Sequence, residues 1–357
     1  GNYGSTIEID NPSFQKQGDD AEMAKFVEEL ENGSIGAVIF YNCNPVYDHP
    51  LGEKIAASIS KAKISIATSD KLDETASLCT YNAPDNHFLE SWNDAEVKRG
   101  MFLLTQPTIS RIFNTRQVQE SLLAWAGKKV DFYTYLKDYW KQNIFPLQKE
   151  EPSFETFWNR SLHDGVVEIQ VPSQYVSVHQ KETTSVSSSL DLSEFANAIA
   201  SKYKSENTGI EVIVYANPII GIGTQANNPI LQEVPEPISR VCWGHFISVP
   251  QSMAKELGLS SFETKTNVLT LKVGDKSVTL PAVVQPGQAK NTVAIALGYG
   301  RKAGKVSIQA GGFNAFRLTS LSGGLVSYAV TEGVSIEKTD KEEHIAQTQT
   351  HHTIMGR

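Results

Sequence analysis

The sequence lacks the closely spaced cysteines that hold a metal ion or an iron–sulfur cluster. Its three cysteines, Cys43, Cys79 and Cys242, lie far apart, and no C-x-x-C pair occurs. Because structural zinc and iron–sulfur sites draw ligands from such local pairs, the spacing excludes an intrinsic cluster. An odd number of scattered cysteines also argues against a disulfide framework, so we expect three buried free thiols.

Long apolar runs and a leader are also missing. No run approaches the ~20 residues of a membrane-spanning helix, and the segment from Gly1 to Gly4 has neither the basic nor the apolar part of a signal peptide. The 357 residues are 40% hydrophobic and 20% charged, which predicts a soluble globular protein of two or three domains. The ends at Gly1 and Arg357 suggest an excised fragment.

Acidic residues are absent from one long stretch, although the whole chain has a formal net charge of -8. Residues 277–331 contain no Asp or Glu, and this stretch carries the basic side chains Lys290, Arg301, Lys302, Lys305 and Arg317. The stretch is rich in Gly and β-formers, so the positive charge would lie on turns beside backbone N–H groups. It indicates either a site for a phosphate-bearing ligand or acidic partner, or a solvated basic face.

The first third of the chain has the pattern of an α/β fold. Apolar side chains recur at helical spacing over residues 23–30, and residues 35–41 form a continuous apolar run typical of a parallel strand buried on both faces. A helix over residues 51–61 and a strand over residues 63–68 would complete a βαβ unit.

Two asparagines follow the first predicted strand. Asn42 and Asn44 lie in the loop where ligands bind in open α/β sheets, beyond the carboxyl end of a strand. Their side chains could hydrogen-bond a nucleotide or close an Asx turn.

The middle of the chain is less regular. Residues 69–106 lose periodicity and are expected to form a long irregular loop, followed by amphipathic helices over residues 116–126 and 131–142. The polar run at residues 183–189 is expected at a loop tip, and a further helix is expected over residues 192–203.

The last third has the pattern of a β-barrel or sandwich. Beyond Pro235, short strands divided by Gly, Pro and Asn are predicted over residues 267–273, 277–284, 292–297 and 305–308. We therefore predict an α/β-plus-β fold with three segments. These are an α/β domain with a parallel sheet over residues 1–145, an α/β continuation and interdomain segment over 146–235, and a six-stranded β-barrel with a tail over 236–357.

The sequence contains only incomplete matches to known nucleotide-binding and metal-binding motifs. Gly221 opens a G-x-G-x-x-A match, but Asn-Asn-Pro follows where a helix is required. The phosphate-loop-like run at residues 298–305 has Tyr299 and Val306 where Gly and Ser or Thr are needed. His351 and His352 are expected to be solvated rather than metal ligands.

Four parts of the sequence resemble a known family. Residues 39–46 resemble the strand and "N-P" loop of the third domain of molybdopterin-type oxidoreductases. Residues 248–259, 281–287 and 294–301 are similar to the C-terminal six-stranded barrel of that superfamily, whose turns close over a pterin dinucleotide. The resemblance implies a Rossmann-like α/β domain of the third-domain type followed by a double-psi β-barrel.

Other segments resemble one branch of that superfamily. Residues 73–76, 84–92, 227–238 and 348–352 are similar to the large molybdopterin-like, iron–sulfur subunit of bacterial alternative complex III, a quinol-oxidising membrane assembly. This branch implies a place in an electron-transport respiratory chain, on the periplasmic side of the inner membrane. It also implies partners among the other subunits, no nucleic acid, and no direct membrane insertion by this segment.

The resemblance implies a chain without catalytic or metal-binding residues. The family's metal ligand lies in an earlier domain, and the iron–sulfur clusters lie in a downstream domain that these residues do not include. The alternative complex III branch is understood to use this body as a scaffold without molybdenum cofactor, so none is expected here and the isolated chain is expected to be inactive.

If a molybdopterin guanine dinucleotide were held, the resemblance implies which residues would face it. Its pyrophosphate needs N–H donors and positive charge, and its nucleotide end would face Asn42 and Asn44. The residues expected at the pyrophosphate are Gly298, Tyr299, Gly300, Arg301 and Asn314. Two alternatives to the scaffold stay open: a truncated true dinucleotide-dependent oxidoreductase, and an anion-binding module with no redox role.

Overall fold

A computed structural model describes residues 6–7, 11–170, 192–202, 209–259, 265–322 and 324–348. The sequence predictions for residues 183–189 and for His351 and His352 lie outside these residues. Contacts between Cα atoms divide the chain into two compact units. Unit 1 comprises residues 1–18 and 83–204, and unit 2 comprises residues 19–82 and 205–357. The domain boundaries after residues 145 and 235 stay a prediction.

The α-helices of the described residues are α1 (Asp20–Glu31), α2 (Pro45–Asp48), α3 (Gly52–Ser58), α4 (Val118–Trp125), α5 (Phe132–Tyr139), α6 (Phe154–Asp164), α7 (Leu192–Lys202), α8 (Pro229–Glu233), α9 (Gln251–Glu256) and α10 (Lys305–Gln309). None of these described helices is both long enough and apolar enough to cross a membrane.

The β-strands of the described residues are β1 (Ala37–Phe40), β2 (Ile64–Ala67), β3 (Tyr81–Asn82), β4 (Asn93–Lys98), β5 (Met101–Thr105), β6 (Val166–Glu168), β7 (Glu211–Tyr215), β8 (Val241–Cys242), β9 (Ile247–Pro250), β10 (Lys265–Val273), β11 (Lys276–Gln285), β12 (Thr292–Ala296), β13 (Ser320–Ser322), β14 (Leu325–Ser327), β15 (Ala329–Val330), β16 (Val334–His344) and β17 (Ala346–Gln347).

Unit 2 begins with the predicted βαβ unit. Strands β1, β2 and β3 form a parallel sheet in that order. Helices α1 and α3 cover one face, where Val38 and Phe40 pack into a small core. Ile39 and Ile64 on the other face are each 44% exposed. The prediction of a strand buried on both faces is therefore wrong, because helices cover the sheet on one side.

The larger sheet of unit 2 contains the strands of the last third. Its order is β15-β7-β12-β9-β11-β10-β16, with β7 parallel to β12 and β9 parallel to β11. The core consists mainly of aliphatic side chains from these strands. The order is open in the described residues, with β15 and β16 at its two ends, so no closed barrel is found there. Strand β7 precedes residue 236, so the sheet extends beyond the predicted barrel segment.

One predicted strand of unit 2 is a helix. Residues 305–308 belong to α10, whose first N–H groups at Val306 and Ser307 are met by the side-chain oxygen of Asn227 at 3.0 and 3.4 Å. The strand prediction is wrong because the group that stabilises this helix end is remote in sequence.

Unit 1 joins a small antiparallel sheet, β4-β5-β6, to helices α4, α5 and α6. Its core is largely aromatic, with Trp140 and Trp158 almost completely buried. Strands β3, β4 and β5 lie in the segment that was expected to be an irregular loop, so that prediction is wrong. The sequence Asn93–Lys98 is polar and mostly exposed, which removes the alternation that would identify β4.

The cysteines are free, as expected. Their predicted burial holds for Cys242, whereas Cys79 is half-buried and Cys43 is exposed on the loop after β1. Cys43 follows Asn42, whose φ is +47°, and lies beyond the apolar run that forms β1.

Candidate functional site

The candidate site lies within unit 2, where the end of strand β12 meets the loops that follow β1 and β2. The turn after β12 carries Arg301, the segment beyond β2 carries Glu74, and α2 with its preceding residue carries Tyr47 and Asn44. Each of these side chains thus lies on a loop or short helix that follows one of the three strands.

Arg301 and Glu74 form a buried, two-pronged ion pair. The Arg301 Nε and Nη2 atoms donate to the Glu74 Oε1 and Oε2 atoms at 2.9 and 2.8 Å. The two side chains are only 12% and 7% exposed. The third nitrogen, Nη1, donates to the carbonyl oxygen of Gly223 at 2.6 Å. The guanidinium group therefore directs all three of its nitrogens at groups of the same chain.

The Glu74 carboxylate accepts further hydrogen bonds. The backbone N–H groups of Lys302 and Ala303 donate to its Oε1 atom at 2.7 and 3.2 Å, and the Asn44 amide donates to Oε2 at 2.8 Å. Burial alone would raise the pKa of Glu74, but the hydrogen bonds from Arg301, Asn44 and Lys302 outweigh it and lower that pKa to about 2. Glu74 is therefore fully ionised at neutral pH.

Tyr47 connects the turn to α2. Its hydroxyl donates to the carbonyl oxygen of Tyr299 at 2.8 Å, and the Asn314 side chain donates to the Tyr47 carbonyl oxygen at 2.8 Å. The Arg301 guanidinium carbon lies 4.4 Å from the centroid of the Tyr47 ring. Burial raises the pKa of Tyr47, so its phenol stays protonated and supports Arg301 as a neutral ring.

The space beside the glycines of the turn is filled by the chain itself. A Cβ atom at Gly300 would lie 2.2 Å from the backbone nitrogen of Asn314, and one at Gly298 would lie 2.8 Å from the Ile220 side chain. The residues as arranged do not fit the pyrophosphate of a dinucleotide, because the Arg301 guanidinium and the N–H groups of Lys302 and Ala303 are already directed at Glu74.

Six of the seven residues predicted to face a cofactor lie in this region. Asn44, Arg301 and Asn314 make the hydrogen bonds described, and Gly298, Tyr299 and Gly300 form the turn itself. Asn42 is exposed outside this network. Asn44 makes long-range contacts rather than an Asx turn, because its Oδ1 atom accepts from the N–H and hydroxyl of Thr75 at 3.0 and 2.7 Å.

Three residues of the site were not predicted from the sequence: Glu74, Tyr47 and Gly223. Glu74 is part of a segment quoted for its resemblance, and Gly223 belongs to the rejected G-x-G-x-x-A match. A usable signal for Glu74 was the acid-free stretch at residues 277–331, because a buried arginine there must find its counter-charge elsewhere in the chain.

No metal centre accompanies the site. The described part of the chain contains no group of three or more His, Cys, Asp or Glu side chains that could hold a metal ion.

Comparisons with known proteins support the predicted resemblance. A segment of 96 residues is 30% identical to the "menaquinone reductase, molybdopterin-binding-like subunit" of Nitratidesulfovibrio vulgaris, and it makes up 26% of this chain and 14% of that protein. Acetylene hydratase from Pelobacter acetylenicus matches 88% of this chain with a TM-score of 0.58 and 13% identity. Over that length the chain shares the fold of acetylene hydratase.

The likeness extends over only part of the relatives' length. The chain spans 46% of acetylene hydratase, and the matched segment spans 14% of the menaquinone reductase subunit. No protein-family model matches the sequence. At 13% identity the likeness to acetylene hydratase concerns the fold alone.

Proposed function

We propose that this molybdopterin-type chain is part of a subunit of a quinol-oxidising respiratory complex of the alternative complex III kind. In this role it serves as a structural scaffold without bound molybdenum cofactor. The observation that carries the proposal is the turn that ends at Arg301, where the Arg301 guanidinium and the N–H groups of Lys302 and Ala303 already bind the Glu74 carboxylate.

The similarity to that relative supports the respiratory part of the proposal, since it is named as a subunit of a menaquinone reductase. In this proposal the other subunits of the complex are the partners, and a downstream domain carries the iron–sulfur clusters. The complex lies on the periplasmic side of the inner membrane. Assignment of the first part of unit 2 to the third-domain type and of its large sheet to the double-psi barrel type belongs to the same proposal.

Elemental and cofactor analysis tests the scaffold role. The chain would be produced in cells that make molybdopterin guanine dinucleotide, beside a molybdopterin enzyme known to load in those cells. Metal content would be measured by mass spectrometry, and pterin and guanine nucleotide would be measured after acid release. We expect neither molybdenum nor tungsten nor pterin in the chain, and full loading of the control enzyme. Stoichiometric metal together with pterin would replace the scaffold by a truncated true oxidoreductase.

A further inference from the structure

The Glu74 carboxylate is bound in the way that proteins bind a phosphate group. Five donors surround its two oxygens: Arg301 Nε and Nη2, the N–H groups of Lys302 and Ala303, and the Asn44 amide. A guanidinium fork combined with successive backbone N–H groups is a standard arrangement for an oxyanion. A surface ion pair would need none of the three additional donors.

The donors and the carboxylate come from distant parts of the chain. Glu74 and Arg301 are 227 positions apart in the sequence. Contacts that do not involve Glu74 also hold Arg301 in place, namely its bond to the Gly223 carbonyl oxygen and its stacking on the Tyr47 ring. Removing the Glu74 side chain would therefore leave much of the donor set in position.

We infer that Arg301, Lys302 and Ala303 form an oxyanion site that is closed by Glu74 acting as an internal anion. The ligand class is a phosphate-type oxyanion, and Glu74 competes with it at the same donors. This inference rests on the proposed function, since it accounts for how this chain closes a position that a cofactor phosphate would otherwise take.

The test is a gain of binding in Glu74→Ala. Isothermal titration calorimetry in chloride buffer at pH 7.5 would use inorganic phosphate, pyrophosphate and GDP as separate probes. We expect saturable binding of at least one probe to Glu74→Ala, at least about tenfold tighter than to the wild-type chain, because one bidentate charged contact exceeds 1.4 kcal/mol. The three probes separate a simple phosphate site from one that needs a second phosphate or a nucleoside.

Two variants serve as matched controls. Asp70→Ala removes the same charge from an exposed position four residues before Glu74 and should bind no better than the wild-type chain. Glu74→Ala combined with Arg301→Ala should lose the gained binding, because the guanidinium fork is gone.

The outcomes separate the inference from the proposed function. A folded Glu74→Ala variant that binds none of the three probes would overturn the inference, as would equal binding by the wild-type chain. If Glu74→Ala is poorly folded, Glu74→Gln is used instead, and its melting temperature must rise with phosphate more than that of Asp70→Ala. Pterin in the wild-type chain would overturn the proposed function, whereas failed anion binding without pterin overturns only the inference.

Discussion

The aromatic cluster of unit 1 and the polar network of unit 2 are both buried, but different forces hold them. Trp140, Trp158 and Phe157 pack ring against ring, with centroids 5.7 to 6.1 Å apart. Around Arg301 and Glu74, by contrast, nearly every contact is a hydrogen bond or an ion pair. Dispersion and area burial stabilise the first region, whereas the second depends on each polar group keeping its partner.

This difference has a consequence for mutants. Truncating two neighbours in an apolar cluster removes burial twice, so the losses in stability accumulate. Removing one partner of a buried ion pair leaves an uncompensated charge, and removing the second partner relieves part of that cost. The coupling between two substitutions is the stability loss of the double variant minus the sum of the two single losses. Its sign should therefore distinguish the two regions.

The largest effect is expected for Trp140→Ala in unit 1. Trp140 is fully buried, and its indole N–H donates to Asp94 at 2.9 Å. Loss of the ring should lower the free energy of unfolding by about 3–5 kcal/mol. Urea unfolding followed by tryptophan fluorescence is a suitable measurement, because Trp92, Trp125 and Trp158 remain in unit 1 as reporters.

Tyr139→Ala is the matched control for Trp140→Ala. Tyr139 is the preceding residue, but its side chain is 45% exposed. A loss above about 1 kcal/mol there would show that the helix, rather than the buried ring, determines the stability of unit 1.

A smaller loss is expected for Glu74→Gln in unit 2. The amide keeps the volume but leaves the Arg301 guanidinium without its counter-charge, so we expect a loss of about 3 kcal/mol. Glu74→Leu combined with Arg301→Met should be less destabilised than the sum of the two single variants. Thermal unfolding with hydrogen exchange resolved by mass spectrometry would measure unit 2 separately, and additive or greater losses would contradict the comparison.

The same variant has a pH signature. The pKa of Glu74 is lowered in the folded chain from its ordinary value of 4.5 to about 2. Its contribution to stability is therefore fully present above pH 4.5 and is lost as the pH falls toward 2. The stability difference between the wild-type chain and Glu74→Gln should shrink between pH 5 and pH 3, and a constant difference would contradict the assignment.

The fold could be predicted from sequence where local pattern determines structure. The βαβ unit at the start of unit 2 and strands β10, β11 and β12 follow from apolar periodicity and turn residues. The polar strand β4 and the short helix α10 could not be predicted, because one lacks apolar alternation and the other is capped by Asn227 from far along the chain.

The resemblance pointed to only part of the candidate site, since Glu74, Tyr47 and Gly223 were not predicted. The resemblance predicted that Arg301 and Asn314 would both face the pyrophosphate of a cofactor. The sequence also showed that residues 277–331 are basic and contain no Asp or Glu. Which anion Arg301 would meet depended on a contact with Glu74 across 227 positions, and single-sequence patterns carry no information on such pairing.

Gly300→Ala tests the packing of the turn, with an expected loss of about 2–4 kcal/mol. Gly300 has φ +69°, which costs a side chain about 1 kcal/mol, and its Cβ would also overlap the Asn314 backbone. Gly274→Ala is the control, since its φ is +59° and no atom lies within 4 Å of its Cβ position. Equal losses of thermal stability for the two variants would mean that the turn around Gly300 is open rather than packed.

The smallest effect concerns His245, which stacks on Tyr299 with ring centroids 4.6 Å apart. Complete burial lowers the pKa of His245 to about 3, so the unfolded chain binds a proton below pH 6.5 that the folded chain does not. Stability should therefore fall with decreasing pH, by about 1 kcal/mol at pH 5.5.

Asp48, whose pKa burial raises to about 6, acts in the opposite direction, but its contribution cancels in a comparison with His245→Gln. The difference in unfolding free energy between the two proteins, measured by urea titration at pH 7.5 and 5.5, should change by that amount. An unchanged difference would show that His245 is solvated. The part of the turn around His245 and Tyr299 would then be less tightly packed than the part around Arg301 and Glu74.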